Sequence, residues 1–269
     1  MDISIIIPYL NEVDNVLNLK NELLPVVEDL SRSYSVEMVF VDDGSTDGTS
    51  QALKSMVEAQ MIPDIKIKFL AHEGNWGLGK ALQTGFASST GAVIITTDCD
   101  GTYLFSTIPE LLAHLQDGVD VVTASPYHPN GWVMNVPGYR VFLSKGSSLI
   151  YRIMVDWDIH TYTCMFRAYR RHTVEDTPIA SHGFMAVAEL LVKCKLKGCH
   201  ISEFPAVLYA RSFGESKAKL TRTILAHLRF QSSILLHRLH LTTLVERKNE
   251  KRWGGWVRTK YSIIGEETK

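Results

Sequence analysis

Short apolar runs alternate with amphipathic stretches along the first half of the chain. The runs are rich in isoleucine and valine, as expected for strands that are buried on both faces of a parallel sheet, and they cover residues 4–7, 37–41, 65–70, 92–96 and 119–122. Between them, apolar residues recur every three to four positions, which predicts helices that cover such a sheet. The pattern therefore predicts a Rossmann-like α/β domain with a mostly parallel central sheet flanked by helices.

The second half of the chain has a different pattern. A loop rich in proline and glycine, 125–138, precedes a predicted helix at 139–155. A second helix, a strand, a polar turn and a long amphipathic helix follow in that order, at 184–197, 201–209, 211–217 and 218–244. We expect two halves of one domain, 1–124 and 125–217, followed by the amphipathic helix and a basic, aromatic tail at 218–269.

Composition and charge narrow the possible classes of protein. The chain has 269 residues, of which 45% are hydrophobic and 21% are charged, so it can build a sizeable core and is not expected to be disordered. Its formal net charge of −1 gives no overall attraction to nucleic acid, and we predict no nucleic-acid partner. Any polyanionic ligand must therefore meet a local group of basic residues.

The cysteines and the hydrophobic segments bear on location. The four cysteines form no C-x-x-C pair and no metal-finger spacing, and the first residues do not resemble a cleavable leader, which favours a reducing cytoplasm. The most apolar stretch, 224–244, is interrupted by histidine, arginine and glutamine, so it lacks the roughly 18 consecutive apolar residues of a spanning helix. Any membrane contact is expected to be peripheral or to come through a partner.

Polar residues cluster just after three of the predicted strands, where ligands bind in open α/β sheets. They follow the first, second and fourth strands, at 8–12, 42–49 and 98–103. Asp47 and Thr49 are expected to cap the next helix. Asp98 and Asp100 point the same way on an extended segment, and their carboxylates would repel each other without a cation between them. This pair predicts a site for Mg²⁺ or Mn²⁺ that is completed by diphosphate oxygens of a substrate.

Four motifs together resemble the family 2 glycosyltransferases of the GT-A fold: I-P-Y-L-N-E at 7–12, V-D-D-G-S-T-D-G-T at 41–49, G-N-W-G-L-G-K-A at 74–81 and D-C-D-G-T-Y at 98–103. The resemblance covers about the first 125 residues and implies a nucleotide-sugar site in the half 1–124. The residues it assigns to that site are Pro8, Tyr9, Glu12, Asp43, Lys80, Asp98, Cys99 and Asp100. Lys80 could equally be a solvated lysine in the first turn of a helix. The family usually has Tyr where this chain has Leu10.

The half 125–217 resembles the acceptor side of the polyprenyl-phosphate mannose and glucose synthases within this family. Arg140 and Ser144 lie four apart on a predicted helix and would share one face. Arg211 and Lys217 flank a glycine turn that suits phosphate oxygens, although a solvated loop is the alternative. The resemblance implies that these positions bind the acceptor phosphate and the donor diphosphate. Where those synthases often have arginine, this chain has Pro126.

Two further segments bear on the mechanism. The segment 158–171 resembles the part of the family that closes the sugar pocket, with Thr163 and Arg167 as candidates. Enzymes of the family that glycosylate hydroxyls carry an acidic motif where this chain has no carboxylate, at 181–185. A phosphate monoester is already ionised near neutral pH and needs no general base. We therefore expect inversion at the anomeric carbon by in-line displacement, carried by Asp100, Arg140, Ser144, Arg211 and Lys217.

The prediction is a metal-dependent hexosyltransferase that uses a GDP- or UDP-sugar and a polyprenyl phosphate, on the cytoplasmic face of a membrane. The apolar residues of the helix 218–244 and the tail 247–260, which mixes basic residues with tryptophan, would contact the bilayer, a membrane-anchored partner or a second copy of the chain. Two alternatives stay open: a hydroxyl acceptor on a glycolipid or polysaccharide, and a sugar-nucleotide binding module without turnover. The Q-x-x-R-W motif of processive synthases is absent from the sequence.

Overall fold

The computed structural model describes residues 1–59, 65–211 and 220–245. The predicted site residue Lys217 and the predicted membrane-contacting tail 247–260 lie outside these ranges. The strands are β1 (Ile3–Tyr9), β2 (Val36–Asp42), β3 (Lys66–Ala71), β4 (Val93–Thr96), β5 (Val121–Ser125), β6 (Trp132–Met134), β7 (Arg167–Arg170), β8 (Ile201–Pro205) and β9 (Val207–Tyr209). The α-helices are α1 (Val13–Glu22), α2 (Leu24–Ser31), α3 (Thr49–Glu58), α4 (Leu78–Ser88), α5 (Ile108–Ala113), α6 (Gly138–Met154), α7 (Arg171–Glu175), α8 (Met185–Leu196) and α9 (Leu220–Arg238).

Within the described residues, seven strands form one sheet in the order β3-β2-β1-β4-β7-β5-β8. Neighbouring strands are parallel except at β7, which is antiparallel to both β4 and β5. The predicted α/β fold with a mostly parallel sheet is thus confirmed. Strands from both predicted halves of the domain contribute to this one sheet.

The predicted strand 201–209 is in fact two strands. β8 extends the main sheet beside β5, whereas β9 pairs with β6 in a separate two-stranded parallel sheet. The division falls just after Pro205, which has no N–H to donate to a ladder. The small sheet carries the chain from the edge of the main sheet to Arg211, above the carboxyl ends of the strands.

Helices cover both faces of the sheet and define two cores. One core joins α1, α2, α3 and α5 to one face, and the other joins α4, α8 and parts of α6 and α9 to the opposite face. β1 and β2 are buried along their whole length, as their continuous apolar runs require. This two-sided burial fixes the strands whose carboxyl ends carry the predicted site.

Arg167 at the start of β7 is fully buried, although the sequence suggested it as a pocket residue. Its Nε donates to Thr123 Oγ1 at 3.0 Å, its Nη1 to the carbonyl oxygen of Val187 at 2.6 Å and its Nη2 to that of Tyr162 at 2.9 Å. The guanidinium therefore joins β5, α8 and the segment before β7. It is not among the residues that line the cavity described below.

Replacing Arg167 with methionine is expected to lower the free energy of unfolding by about 2–4 kcal/mol, because three buried oxygens lose their donors. Chemical denaturation measures this change. Arg32→Met is the matched control, because the Arg32 side chain is 72% exposed in its pair with Asp29, and it should change stability by less than about 0.5 kcal/mol. Equal stability of the two variants would show that the buried contacts of Arg167 add nothing.

Helices α6 and α9 lie against each other. Tyr151 Oη and His227 Nδ1 are 2.8 Å apart, and Ser147 Oγ lies 3.2 Å from the same nitrogen. Burial lowers the pKa of His227 to about 4, so the imidazole is neutral at pH 7. The contact thus attaches α9 to the domain through α6 without a buried charge.

Candidate functional site

The polar segments after β1, β2 and β4 meet at the carboxyl edge of the sheet, as predicted. Asn11 adopts φ 53°, and its Oδ1 accepts a hydrogen bond from the backbone N–H of Thr46 at 2.7 Å, which joins the β1 and β2 ends. Asp47 accepts from the backbone N–H of Thr49 at 3.0 Å, at the start of α3. The N-cap of α3 is Gly48, which has no side chain with which to cap the helix, so the prediction that Asp47 and Thr49 cap it is wrong. Thr49 is the first residue of α3, and its Oγ1 accepts a hydrogen bond from the Glu12 N–H at 2.9 Å, which joins the end of β1 to α3.

Arg211, which follows β9, contacts the carboxylates at this edge of the sheet. Its Nη1 lies 3.0 Å from Glu12 Oε1, and its Nε lies 2.7 Å from Asp100 Oδ2. Burial acts against the charged guanidinium, but the Asp100 and Glu12 carboxylates outweigh it and raise the pKa of Arg211. One guanidinium thus neutralises two carboxylates that come from different strands.

Asp98 and Asp100 have different surroundings. Asp100 Oδ1 accepts hydrogen bonds from the Thr102 N–H at 3.1 Å and from its hydroxyl at 2.7 Å, while Oδ2 meets Arg211. No side chain in the described part of the chain donates to the Asp98 carboxylate, which keeps some exposure to a cavity. Burial among protein atoms and then the nearby Asp100 raise the pKa of Asp98 to about 8. Within the described ranges, no lysine, arginine or histidine forms an ion pair with this carboxylate, although the Arg211 guanidinium offsets part of the rise in its pKa.

The donor set at this edge fits a hard divalent cation. Asp98 offers carboxylate oxygens that accept no hydrogen bond from a side chain among the described residues, and Asp100 lies two residues further on. Within residues 1–59, 65–211 and 220–245, no group of three or more histidine, cysteine or acidic side chains could hold a metal by itself. A cation here would need further oxygens from a bound ligand, as Mg²⁺ does when it binds phosphates.

Tyr9 and Cys99, which the resemblance assigned to the nucleotide-sugar site, face the core. Tyr9 is 1% exposed, and its ring meets Phe40 edge-on at 5.9 Å. Cys99 is 8% exposed, and burial raises the pKa of its thiol well above the ordinary value. The side chains of both residues therefore support the floor of the site, and direct contact with a ligand stays a prediction for them.

Asp43 holds the turn before α4. Its Oδ1 lies 2.7 Å from His72 Nδ1 and accepts from the Trp76 N–H at 2.9 Å, while its Oδ2 accepts from the Gly77 N–H at 2.7 Å. His72 also stacks on the Trp76 ring, with centroids 4.3 Å apart. Asp43 thus shapes the surface beside buried Pro8, and its predicted contact with a nucleoside remains untested.

Lys80 lies in the first turn of α4, on the same surface. Its Nζ donates to Gln83 Oε1 at 3.0 Å, and Gln83 in turn donates to the carbonyl oxygen of Ile179 at 2.8 Å. The contact with phosphate that the sequence suggested for Lys80 stays a prediction. What the structure adds is a connection between α4 and the segment before α8.

The segment before α8 is held by Glu189, whose carboxylate accepts from the Ala180 N–H at 2.8 Å and the Ser181 N–H at 2.7 Å. Burial acts to raise the pKa of Glu189, but the Lys193 ammonium, 2.5 Å from its Oε1, and these two N–H groups outweigh burial and lower the pKa. Gly77 at φ 93° approaches the His182 carbonyl so closely that a Cβ would lie 2.3 Å from its oxygen. Glu189 therefore positions the turn that precedes Phe184, a cavity-lining residue.

A cavity of about 590 Å³ opens beside the carboxylate pair. Five of the predicted site residues line it together, namely Asp98, Asp100, Arg140, Ser144 and Arg211. Arg140 and Ser144 reach it from the first turns of α6, and Arg211 from the end of β9. Candidate donor-side and acceptor-side residues that are far apart in the chain thus share one space.

The cavity also has walls that the sequence analysis did not fully identify. Thr163 was a candidate for the sugar pocket, and its Oγ1 lies 2.6 Å from Ser144 Oγ. Tyr127, from the loop after β5, was not identified as a site residue, although it also lines the cavity. The apolar walls include Val141, Phe184 and Leu208. A polar floor with apolar walls suits a ligand that has a charged head and an apolar portion.

Comparisons with known proteins identify the family and the fold of this chain. The family model described as glycosyl transferase family 2 matches residues 4–177. The chain is 31% identical to a dolichol-phosphate mannosyltransferase from Pyrococcus furiosus, over 98% of this chain and 68% of that protein. Its fold resembles that of glucosyl-3-phosphoglycerate synthase from Mycobacterium tuberculosis, solved with Mn²⁺, UDP and glucosyl-3-phosphoglycerate. That match has a TM-score of 0.62 and 19% identity, and it covers 90% of this chain and 81% of that one.

A second structure of the same synthase, with Mg²⁺ and UDP, gives a TM-score of 0.61 at 19% identity, over 90% of this chain and 80% of that one. At this identity the likeness shows the fold, which supports the predicted GT-A architecture. The family model covers more than half of the chain, and the curated relative matches nearly all of it. On these grounds the chain belongs to glycosyl transferase family 2.

Proposed function

We propose that this glycosyltransferase moves a hexose from a nucleoside-diphosphate sugar to a polyprenyl phosphate, with inversion at the anomeric carbon. The observation that carries the proposal is the shared cavity, which two carboxylates, two arginines and a cluster of hydroxyls line together. The name of the Pyrococcus furiosus relative, a dolichol-phosphate mannosyltransferase, supports the same acceptor class. GDP- and UDP-sugars are the candidate donors.

On the donor side, Asp98 and Asp100 would hold Mg²⁺ or Mn²⁺ together with diphosphate oxygens. A divalent cation there neutralises charge that develops on the departing diphosphate. Arg211 lies against Asp100 and Glu12 and can add positive charge on the same side. The structures of the Mycobacterium tuberculosis synthase, solved with Mn²⁺ or Mg²⁺ and UDP, support a divalent cation beside a nucleoside diphosphate in this fold.

On the acceptor side, Arg140 and Ser144 would hold the phosphate and aim one of its oxygens at the anomeric carbon. Tyr139 Oη accepts a hydrogen bond from Arg140 Nε at 3.1 Å, which orients the guanidinium. Among the described residues that line the cavity, the carboxylates are Asp98 and Asp100 alone, and there is no histidine. A phosphate acceptor needs no base because it is already an anion. The predicted role of Lys217 belongs to this proposal but lies outside the described residues.

The test is transfer of labelled sugar from GDP- and UDP-hexoses to a short polyprenyl phosphate, with Mg²⁺, Mn²⁺ or a chelator. We expect an acid-labile lipid product whose formation stops with the chelator. Transfer only to hydroxyl acceptors, such as a glycolipid or a small phosphorylated alcohol, would replace the proposed acceptor class. Donor binding without any product would instead support a binding module.

We further propose that the bilayer surface lies against α6 and α9. The outward residues of α6 are apolar and strongly exposed: Tyr139 at 56%, Phe142 at 77%, Ile153 at 62% and, just beyond the helix, Trp157 at 58%. Leu225, Leu228 and Leu235 form a similar exposed row on α9, and exposed Leu239 follows just after the helix. None of the helices within the described ranges has the length and apolarity that crossing a bilayer requires. Contact in the plane of the interface therefore suits them.

A double substitution of Phe142 and Ile153 by serine is expected to reduce co-sedimentation with phosphatidylcholine–phosphatidylglycerol vesicles severalfold, since both apolar side chains would leave the interface. Transfer to a short, water-soluble polyprenyl phosphate analogue should change little. Tyr34→Ser is the control, because Tyr34 is also exposed, at 48%, but lies before β2 at the amino end of the sheet. Unchanged vesicle binding by the double variant would argue against α6 as the contact.

A further inference from the structure

Three hydroxyl groups line one wall of the cavity. Ser144 Oγ and Thr163 Oγ1 are 2.6 Å apart, and either can be the donor. The Tyr127 hydroxyl is buried and has no hydrogen-bond partner in the described part of the chain. All three side chains line the cavity that contains Asp98 and Asp100. The hydroxyls therefore come from the loop after β5, from α6 and from the segment before β7.

Tyr127 and Ser144 line the same cavity and interact with each other. Burial raises the pKa of Tyr127, and the neighbouring Ser144 hydroxyl counteracts part of that rise, so the two groups are close although no regular hydrogen bond joins them. Lys145 Nζ lies over the Tyr127 ring, 5.9 Å from its centre. The phenol thus has a cation over the face of its ring.

The hydroxyl cluster contains O–H donors that lack acceptors. The Ser144–Thr163 pair uses one of its two O–H groups internally, so the other O–H is available, and the O–H of Tyr127 is available as well. A buried donor without an acceptor costs free energy, which a bound oxygen atom would recover. Arg140 lines the same cavity and adds positive charge. Two hydroxyl donors beside a guanidinium are complementary to an oxyanion.

We propose that Tyr127 and Thr163, together with Ser144, form an oxyanion subsite that binds the phosphate of the acceptor. This inference rests on the proposed function and adds two residues to it. Tyr127 and Thr163 bind the acceptor and have no role in binding the nucleotide.

The experiment is calorimetric titration of the full chain with inorganic phosphate, with UDP or GDP and Mg²⁺ at saturation to occupy the donor side. Tyr127→Phe and Thr163→Val should each weaken phosphate binding about tenfold, since each removes one hydrogen bond to a charged group. Thr163→Ser keeps the hydroxyl and should bind as the unaltered protein does. Tyr34→Phe, which removes an exposed phenolic hydroxyl at the opposite end of the sheet, controls for the substitution itself.

Steady-state kinetics give a second readout. Tyr127→Phe should raise KM for polyprenyl phosphate about tenfold and leave KM for the donor unchanged, which a general loss of packing would not do. Phosphate binding that is absent in the unaltered protein, or that is as strong in both hydroxyl-deleting variants as in the unaltered protein, would overturn the subsite. If phosphate binding responds as expected but transfer occurs only to hydroxyl acceptors, the subsite stands and the proposed acceptor class is wrong.

Discussion

Replacing Asp100 with asparagine is expected to lower kcat for sugar transfer by roughly a hundredfold to a thousandfold. Asp100 lies between Arg211 and Thr102 at the floor of the cavity, and its negative charge is one of the two that would hold the divalent cation. Asparagine keeps the shape and can still accept a hydrogen bond from the Thr102 hydroxyl, but it brings no charge. Electrostatic stabilisation of the departing diphosphate should therefore be lost while the local structure is kept.

Single-turnover transfer with saturating donor measures this loss directly, and Mn²⁺ binding followed by electron paramagnetic resonance should weaken in parallel. Asp29→Asn is the matched control, because the Asp29 side chain is 71% exposed in its pair with Arg32 and lies far from the cavity in the chain. Melting temperatures of the two variants should be similar. An Asp100→Asn protein that is folded and fully active would refute the role proposed for the carboxylate pair.

The parallel part of the sheet could be predicted because strands buried on both faces have continuous apolar runs. β7 escaped prediction for the opposite reason. Its four residues, Arg167–Arg170, begin and end with arginine, and such a segment does not look like a central strand. It can lie between β4 and β5 because the Arg167 side chain finds three oxygen acceptors in the core. These three hydrogen bonds are tertiary contacts, and no local sequence pattern predicts them.

The location of the site could be predicted in part because the sheet is mostly parallel. Strand ends of a parallel sheet meet at one edge, so the segments containing Glu12, Asp43 and Asp98 were expected to be neighbours. The ion pair between Glu12 and Arg211 joins positions 199 residues apart in the chain, and spacing along the sequence contains no information about it. The contribution of Tyr127 to the cavity wall was missed because the loop after β5 has no periodic pattern.

The apolar face of α6 shows a limit of hydrophobic periodicity. An apolar stripe on a helix normally predicts the side that faces the core. In α6, Tyr151 is fully buried, whereas Phe142 and Ile153 are 77% and 62% exposed, so apolar residues occur on more than one face. Only the packing of α6 against α9 and the sheet decides which of them are buried. The sequence therefore predicted the helix but not the surface that we propose for membrane contact.

Replacing Arg211 with alanine is expected to reduce kcat/KM for transfer by about a hundredfold and, in the absence of donor, to tighten Mn²⁺ binding severalfold. Activity should fall while Mn²⁺ binding tightens, because Arg211 contacts the same carboxylates both when the donor is absent and when it is bound. Without donor, its guanidinium pairs with Glu12 and Asp100 and offsets part of the rise that burial and Asp100 cause in the pKa of Asp98. Its removal takes this positive charge away from the carboxylates, and a divalent cation can supply positive charge instead.

With donor bound, the same substitution removes a positive charge from beside the departing diphosphate, and catalysis should weaken although the metal binds well. Arg211→Lys separates charge from geometry, because one ammonium group cannot reproduce two contacts at 3.0 Å and 2.7 Å from Nη1 and Nε. We expect the lysine variant to bind Mn²⁺ nearly as the unaltered protein does and to lose part of the activity. Arg32→Ala, at an exposed pair, should change neither quantity. If Arg211→Ala binds Mn²⁺ more weakly without donor, the guanidinium does not compete with the metal for these carboxylates, and its contact with Asp100 serves only to position that side chain.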